Sequence, residues 1–338
     1  MRILLISGNG FIGGPLTREL IDAGHEPAVL HRHSGGCPPG VKPLQGDRNR
    51  LSEYLHELRQ FSPHVIVDLL LSSGEQARQL TAVAADLNAR VVAISSMDVY
   101  RAWGVMLGTE PGGLEPMPLT EESPLRNATA YPPAMIEKMK SIFSWLTPGY
   151  DKVAVEREVM GAASPNTVVR LPMVYGPGDP LHRLYGLVKR VSDRRPAIIL
   201  SEDHAAWRGP RGYVDNVAHA IALAATSQRA FDRTYHVCDE PTLTELDWQK
   251  KIAAQSNWPG RFVVLPAQLT PNHLALHGNA AQHLVADSTR IREELGYAET
   301  VPIDEAVRRT IAWEQANPPT NAGFHQFDYP AEDAALYS

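Results

Sequence analysis

Between a short apolar strand, Arg2 to Ser7, and a helical stretch, Pro15 to Ala23, the chain runs Ser7-Gly8-Asn9-Gly10-Phe11-Ile12-Gly13-Gly14, and this run constrains the fold more than any other. A turn this tight requires residues that tolerate positive φ. Its glycines also let a pyrophosphate approach the backbone at a helix N-terminus, where unpaired N–H groups favour anions. The run therefore reads as a dinucleotide turn built from Gly8, Asn9, Gly10, Phe11, Ile12 and Gly13. A glycine pattern alone is weak evidence; the weight comes from its place at the first strand-to-helix turn of a chain that goes on alternating.

Short β-branched runs predict further strands at Ala28 to His31, His64 to Leu69, Arg90 to Ser95 and Thr167 to Leu171. Helical period predicts helices at Leu51 to Phe61 and Glu75 to Leu87. This beat is the signature of βαβ units. Past Pro172 it loosens into Pro/Gly punctuation, before helices predicted at Gly212 to Ala225 and Ile303 to Glu314, a helix stopping at Gly296, and a strand over Val263 to Thr270. The expected fold class is α/β: a doubly wound Rossmann-type parallel sheet with a smaller α/β substrate-binding lobe toward the C-terminus. Residues 1–175 are assigned to the dinucleotide-binding domain and 176–317 mainly to the substrate lobe, with about 212–240 returning to the sheet. Residues 318–338, with little periodicity, read as a tail that packs on the body or on a second subunit.

Composition removes other classes. At 43 % apolar residues the chain can bury a large core, which excludes a disordered protein. A net charge of −6 provides no basic footprint for nucleic acid. No apolar run approaches the roughly 18 residues of a membrane span, so no membrane partner is expected. Cys37 and Cys238 are too few for a disulfide framework, and no Cys/His cluster has metal-ligand spacing. A cytoplasmic protein without a metal is expected.

The second strand of a dinucleotide fold normally ends in an acid that binds the adenosine ribose of NAD, but here that place holds His31-Arg32-His33. A guanidinium pairs two-pronged with a 2′-phosphate, so NADP is favoured, with NAD the alternative. Asp47, after the expected third strand, is a candidate adenine contact.

Further motifs follow in order: Ser95-Ser96-Met97-Asp98-Val99-Tyr100, Glu121-Glu122-Ser123-Pro124, Arg170-Leu171-Pro172 with Tyr175-Gly176-Pro177-Gly178-Asp179, and Gly212-Tyr213-Val214-Asp215-Asn216-Val217. With the glycine turn they resemble the extended short-chain dehydrogenase/reductase superfamily, the NAD-dependent epimerase/dehydratase family. The resemblance implies NAD(P)-dependent chemistry, largely on nucleotide sugars, and homodimers through helix pairs. It also implies Leu70, Ser95 and Pro172 as cofactor contacts. Tyr100 and Tyr175 are implied substrate contacts. Arg208 and Arg211, which flank the Gly209 position where epimerases hold a substrate diphosphate, are candidates for the same role.

The family's active site pairs a Ser or Thr with a Tyr and a Lys four residues after it. Ser96 matches the hydroxyl, and Tyr150 the phenol, since Glu158 follows eight later; the lysine position is Ala154. An unaided phenol has a pKa of about 10, so the lysine matters. Lys152, about 200° round a helix from Tyr150, faces away unless Pro148-Gly149 makes that turn irregular. The spacing Tyr185/Lys189 falls after the sixth strand, where the family has no catalytic Tyr. The pattern looks like an atypical branch lacking the lysine. Asp98 stands where sugar-nucleotide 4,6-dehydratases carry an acid in proton transfer, and is the third catalytic candidate.

Two functions are expected from this. One is an NAD(P)-dependent epimerase, dehydratase or reductase acting by hydride transfer on a nucleotide-linked or related polar small molecule. The other, motivated by Ala154, is a dinucleotide-binding module without redox turnover, a sensor or assembly partner. Loops 103–115, 132–145 and 182–204 carry no pattern that identifies a substrate.

Overall fold

A computed structural model describes residues 1–32, 37–143, 146–276, 278–320 and 325–337. His33 of the second-strand motif lies outside the described residues. In chain order the first half comprises β1 (Arg2–Ile6), α1 (Gly13–Asp22), β2 (Glu26–His31), β3 (Lys42–Gln45), α2 (Leu55–Phe61), β4 (Val65–Asp68), α3 (Gly74–Asp86), β5 (Arg90–Ser96), α4 (Arg101–Leu107), α5 (Pro133–Lys140), α6 (Lys152–Met160) and β6 (Thr167–Leu171). The second half comprises β7 (Met173–Tyr175), α7 (Tyr185–Ser192), β8 (Ala197–Ser201), α8 (Glu202–Ala206), β9 (Arg211–Tyr213), α9 (Val214–Thr226), β10 (Arg233–His236), α10 (Glu245–Ala254), β11 (Arg261–Leu265), α11 (Thr289–Leu295), α12 (Ile303–Ala316) and α13 (Tyr329–Leu336).

Seven strands form one parallel sheet in the order β10-β6-β5-β4-β1-β2-β3. Its central strands are continuous apolar runs because helices cover both faces: Ile3, Leu4, Leu5 and Ile6 of β1 are all buried. β1 pairs with β2 on one side and β4 on the other, so the strand order reverses there, where open α/β sheets place their ligand crevice. α1 packs with α9 and α3 with α6. Leu16 and Leu20, one turn apart on α1, are fully buried, each worth about 1.5–3 kcal/mol. β8 with β11 and β7 with β9 form two small parallel ladders beside the sheet.

Several boundaries differ from expectation. The stretch 51–61 divides into a 3-10 turn, Arg48–Tyr54, and α2, because Arg50 leaves helical φ/ψ. Gly212 belongs to β9, and α9 starts only after Tyr213, which is extended. The predicted strand at 263–270 stops at Leu265, where Pro266 precedes a 3-10 turn. Gly296, at φ +71, ends α11 as read. The tail contains α13, a helix with hardly any apolar stripe. Charge holds it instead: Glu332 is buried against Arg190 and His273.

Among the described residues no helix is long and apolar enough to cross a membrane, and no group of three or more His, Cys, Asp or Glu is placed to hold a metal ion.

Candidate active site

The glycine turn leaves β1 through Ser7, which adopts φ +69, a left-handed conformation more usual for glycine. A Cβ on Gly13 would stand 2.2 Å from the Ser7 carbonyl oxygen and 2.7 Å from Gly8 Cα, so only glycine lets α1 begin this close to the strand. Thr17 locks the arrangement, its hydroxyl lying 2.6 Å from Gly8 O and 2.7 Å from Gly13 O. Beside the turn, the C-terminal ends of β1, β2, β3 and β4 enclose a cavity of about 600 Å³. Asn9, His31, Arg32, Asp47 and Leu70, the candidate cofactor contacts, all line it. Asp47 also accepts the Asn49 N–H at 2.9 Å, capping the 3-10 turn.

Arg48, which the sequence reading missed, enters the same cavity. Its buried guanidinium donates from Nη2 to Asp68 Oδ2 at 2.8 Å, while Nε and Nη1 find no partner among the described residues, and neither does His31 Nδ1. Buried donors are rarely left unsatisfied. A glycine cradle, a helix N-terminus, a cavity of this size and orphaned N–H groups together fit a dinucleotide.

A second cavity, of about 330 Å³, opens at the end of β5 and is lined by Ser96, Asp98, Tyr131 and Pro172 among others. α5 borders both cavities, Lys140 on the first and Met139 on the second. Ser96 Oγ accepts the Asp98 N–H at 3.2 Å, which leaves its own hydrogen to donate. Asp98 is buried, and Tyr150 Oη donates to its Oδ2 at 2.7 Å. Oδ1 has no partner among the described residues. The Tyr131 ring packs at 5.9 Å from the rings of Tyr150 and Trp103. Burial raises the Asp98 carboxyl above the ordinary carboxylate range, opposed by the Tyr150 hydrogen bond and by Arg126 and Lys152. Burial and then Asp98 raise both Tyr131 and Tyr150 well above an ordinary phenol. Neither tyrosine is poised as a phenolate; the carboxylate is the readier base.

Tyr150 is not on the helix: the Asp151 carboxylate accepts the Val153 N–H at 3.1 Å and caps α6, which begins at Lys152. The 200° argument therefore does not apply, and Lys152 turns inward. Its buried Nζ donates to Ile94 O at 2.8 Å and to Leu71 O, and burial pushes it down to about 8 against the pull of Asp98. Ala154 faces Gly74 of α3 instead. Likewise Glu156, not Glu158, is the buried acid: it accepts from Ser95 Oγ at 2.5 Å and is bound two-pronged by Arg170. Glu158 pairs with Arg78 near the surface. Counted from the buried groups, a lysine and a glutamate four apart are present, two residues earlier than the sequence frame.

Other expected contacts are placed elsewhere. Ser95 is turned to Glu156, away from both cavities. Tyr100 is fully buried, its hydroxyl held between His236 and Arg170. Tyr175 is buried against Tyr213 and Trp248, with its hydroxyl 3.2 Å from Asp239. Arg211 is committed to Glu245 and lies over Trp248. Arg208 is exposed, its carbonyl accepting the N–H of Leu284, which lines the second cavity. Lys189 pairs with Asp193, so its spacing from Tyr185 has no part in the site. Tyr131 had one legible signal: Pro133 at the first position of α5, the residue type that starts helices.

A family model described as NAD dependent epimerase/dehydratase family matches residues 3–238. The uncharacterized protein y4nL of Sinorhizobium fredii is 26% identical over 253 residues, 66% of this chain and 65% of its own length, so this chain spans a little under two thirds of that relative. Among solved structures, UDP-glucose 4-epimerase of Thermotoga maritima with UDP-glucose matches with TM-score 0.66 at 17% identity, over 94% of this chain and 100% of that one. The dTDP-glucose 4,6-dehydratase of Bacillus anthracis in complex with NAD matches with TM-score 0.66 at 15% identity, over 94% and 97%. The Bordetella bronchiseptica enzyme WbmG in complex with NAD matches with TM-score 0.64 at 16% identity, over 96% of each chain. At these identities the likeness is one of fold. The family match over most of the chain, on a sheet of this order, makes the protein a member of the NAD-dependent epimerase/dehydratase family.

Proposed function

We propose that the protein is a nicotinamide-dependent oxidoreductase acting on a carbinol or carbonyl carbon held over Ser96, the step that epimerases, dehydratases and reductases share. The observation that carries this reading is the adjacency of the dinucleotide cavity and the Ser96–Asp98 cavity across α5. When bound, the dinucleotide supplies the hydride acceptor or donor. The chain's own groups handle the oxygen and its proton. Ser96 donates to the reacting oxygen and orients it. Tyr150 occupies Asp98 Oδ2, so the unpartnered Oδ1 is the atom left to take or return a proton. Lys152 and Arg126 offset the buried carboxylate's charge.

Arg32 and His31 at the end of β2 support NADP over NAD, because a guanidinium there suits a 2′-phosphate. The structural neighbours named for UDP-glucose support the reaction class at the level of the fold; a nucleotide-linked substrate is the expectation that the lining of the second cavity then tests. Both cysteines are free, which supports a cytoplasmic setting. The alternative of a module without turnover rests on Ala154; the buried Lys152, whose charge acts on Asp98, supports turnover instead.

The test is cofactor binding and turnover. Purified protein should bind NADP(H), and Asp98→Asn should retain that affinity while losing substrate-dependent NADPH oxidation. A protein with no affinity for either nicotinamide dinucleotide overturns the reading.

A further inference from the structure

The cavity beside Ser96 is a poor match to a polyhydroxylated ring. One wall is Met135, Met139 and Phe143, from α5 and the residues after it. Leu171, Met173 and Leu284 line it as well. The polar side chains that line it are Ser96, Asp98, Tyr131 and Arg183, with the indole of Trp103. The first three belong to the reacting end already described. Arg183, the only cation among the described lining residues, has its charge offset by a buried acid: Nη1 donates to Asp179 Oδ1 at 2.7 Å and to Val174 O at 2.8 Å.

A hexose carries several hydroxyls besides the reacting one. Each buried without a partner weakens binding roughly ten- to hundredfold. This cavity provides few such partners away from Ser96 and Asp98, and among the described lining residues no cation without a carboxylate partner for a diphosphate. Thioethers and aromatic rings instead suit an irregular apolar body, since methionine adapts its shape to what it covers. Resting on the reaction read above, we propose that the cavity takes a carbonyl or carbinol group carried on an apolar ring system, an aryl or alicyclic ketone or its secondary alcohol, in place of a polyhydroxylated sugar. The reacting oxygen then meets Ser96 while the ring lies among the methionines and Phe143.

Calorimetric titration of the full chain, with and without NADP, tests this with 1-tetralone, acetophenone, cyclohexanone and UDP-glucose as probes. The expected result is saturable binding of at least one ketone at least tenfold tighter than UDP-glucose. Met139→Gln, which keeps side-chain length and adds a polar head, should weaken that ketone at least fivefold and leave NADP affinity within twofold. Tighter binding of UDP-glucose, no saturable ketone, or a ketone affinity untouched by Met139→Gln overturns the proposal. Failure of the reaction itself is distinguishable: ketone binding without NADPH binding or oxidation retains the cavity's preference and removes the oxidoreductase reading.

Discussion

Tyr150 Oη donates to Asp98 Oδ2 at 2.7 Å, joining the turn before α6 to the end of β5 inside a buried site. This bond lowers a carboxyl that burial raises. In Tyr150→Phe the carboxyl should rise further. If its carboxylate accepts the substrate proton, the acid limb of kcat/KM in the alcohol-oxidising direction moves to higher pH, which a pH–rate profile measures. An unmoved limb removes Asp98 from the proton path.

Asp98→Asn should lower kcat by about 10²–10⁴-fold, the usual share of a general acid–base. The same change should not destabilise the protein at pH 7. A carboxyl raised in the folded state favours folding only while protonated, so its contribution is lost as pH climbs from the unfolded pKa through the folded one. By pH 7 the unfolded carboxyl is ionised, so the burial penalty weighs on the native acid, whereas the neutral amide escapes it and still accepts from Tyr150. A thermal melt showing a lower Tm than the parent contradicts this.

Lys152 predicts the alkaline side. Burial takes its ammonium from 10.5 to about 8, so the unfolded chain holds more protons between those values and stability rises with pH across them. The interval corresponds to roughly 3 kcal/mol. Lys152→Met should abolish this rise, as read by urea denaturation at pH 7.5 and pH 10, and should cost stability at both by leaving Leu71 O and Ile94 O unpaired.

Glycine substitutions should separate fold from ligand. Gly13→Ala drives a methyl against Ser7 O and should destabilise by about 1–3 kcal/mol. At Gly10 an added Cβ meets only Ser7, at 3.4 Å, so Gly10→Ala should melt near the parent temperature yet weaken dinucleotide binding at the turn. Equal melting of the two variants would contradict this difference.

The tail gives an independent check. Arg190 and Glu332 are both buried, and breaking such a pair typically costs about 3–5 kcal/mol. Glu332→Gln should lower Tm and speed proteolysis of the last residues, with NADP affinity unchanged.

The glycine turn, the alternation of β-branched runs with helical stretches, the parallel sheet and the positions of Ser96 and Asp98 were all legible, because each depends on local spacing: period two or 3.6, a turn that only glycine fits, a residue at a strand end. The tail helix was not, since α13 buries charge rather than an apolar stripe. Arg48 was hidden because its orphaned N–H groups exist only once Asp68 on β4 has claimed the third nitrogen.

What the sequence by itself determined is thus the family frame and the cofactor turn. Only the tertiary structure decided the chemistry beside them. Whether Lys152 points inward depends on where α6 begins, and that start is set by the Asp151 cap, a matter of one residue that no periodicity resolves. Tyr150 meets Asp98 across 52 positions of chain, and Lys152 reaches Ile94 and Leu71 across 58 and 81, contacts made by packing rather than by sequence spacing.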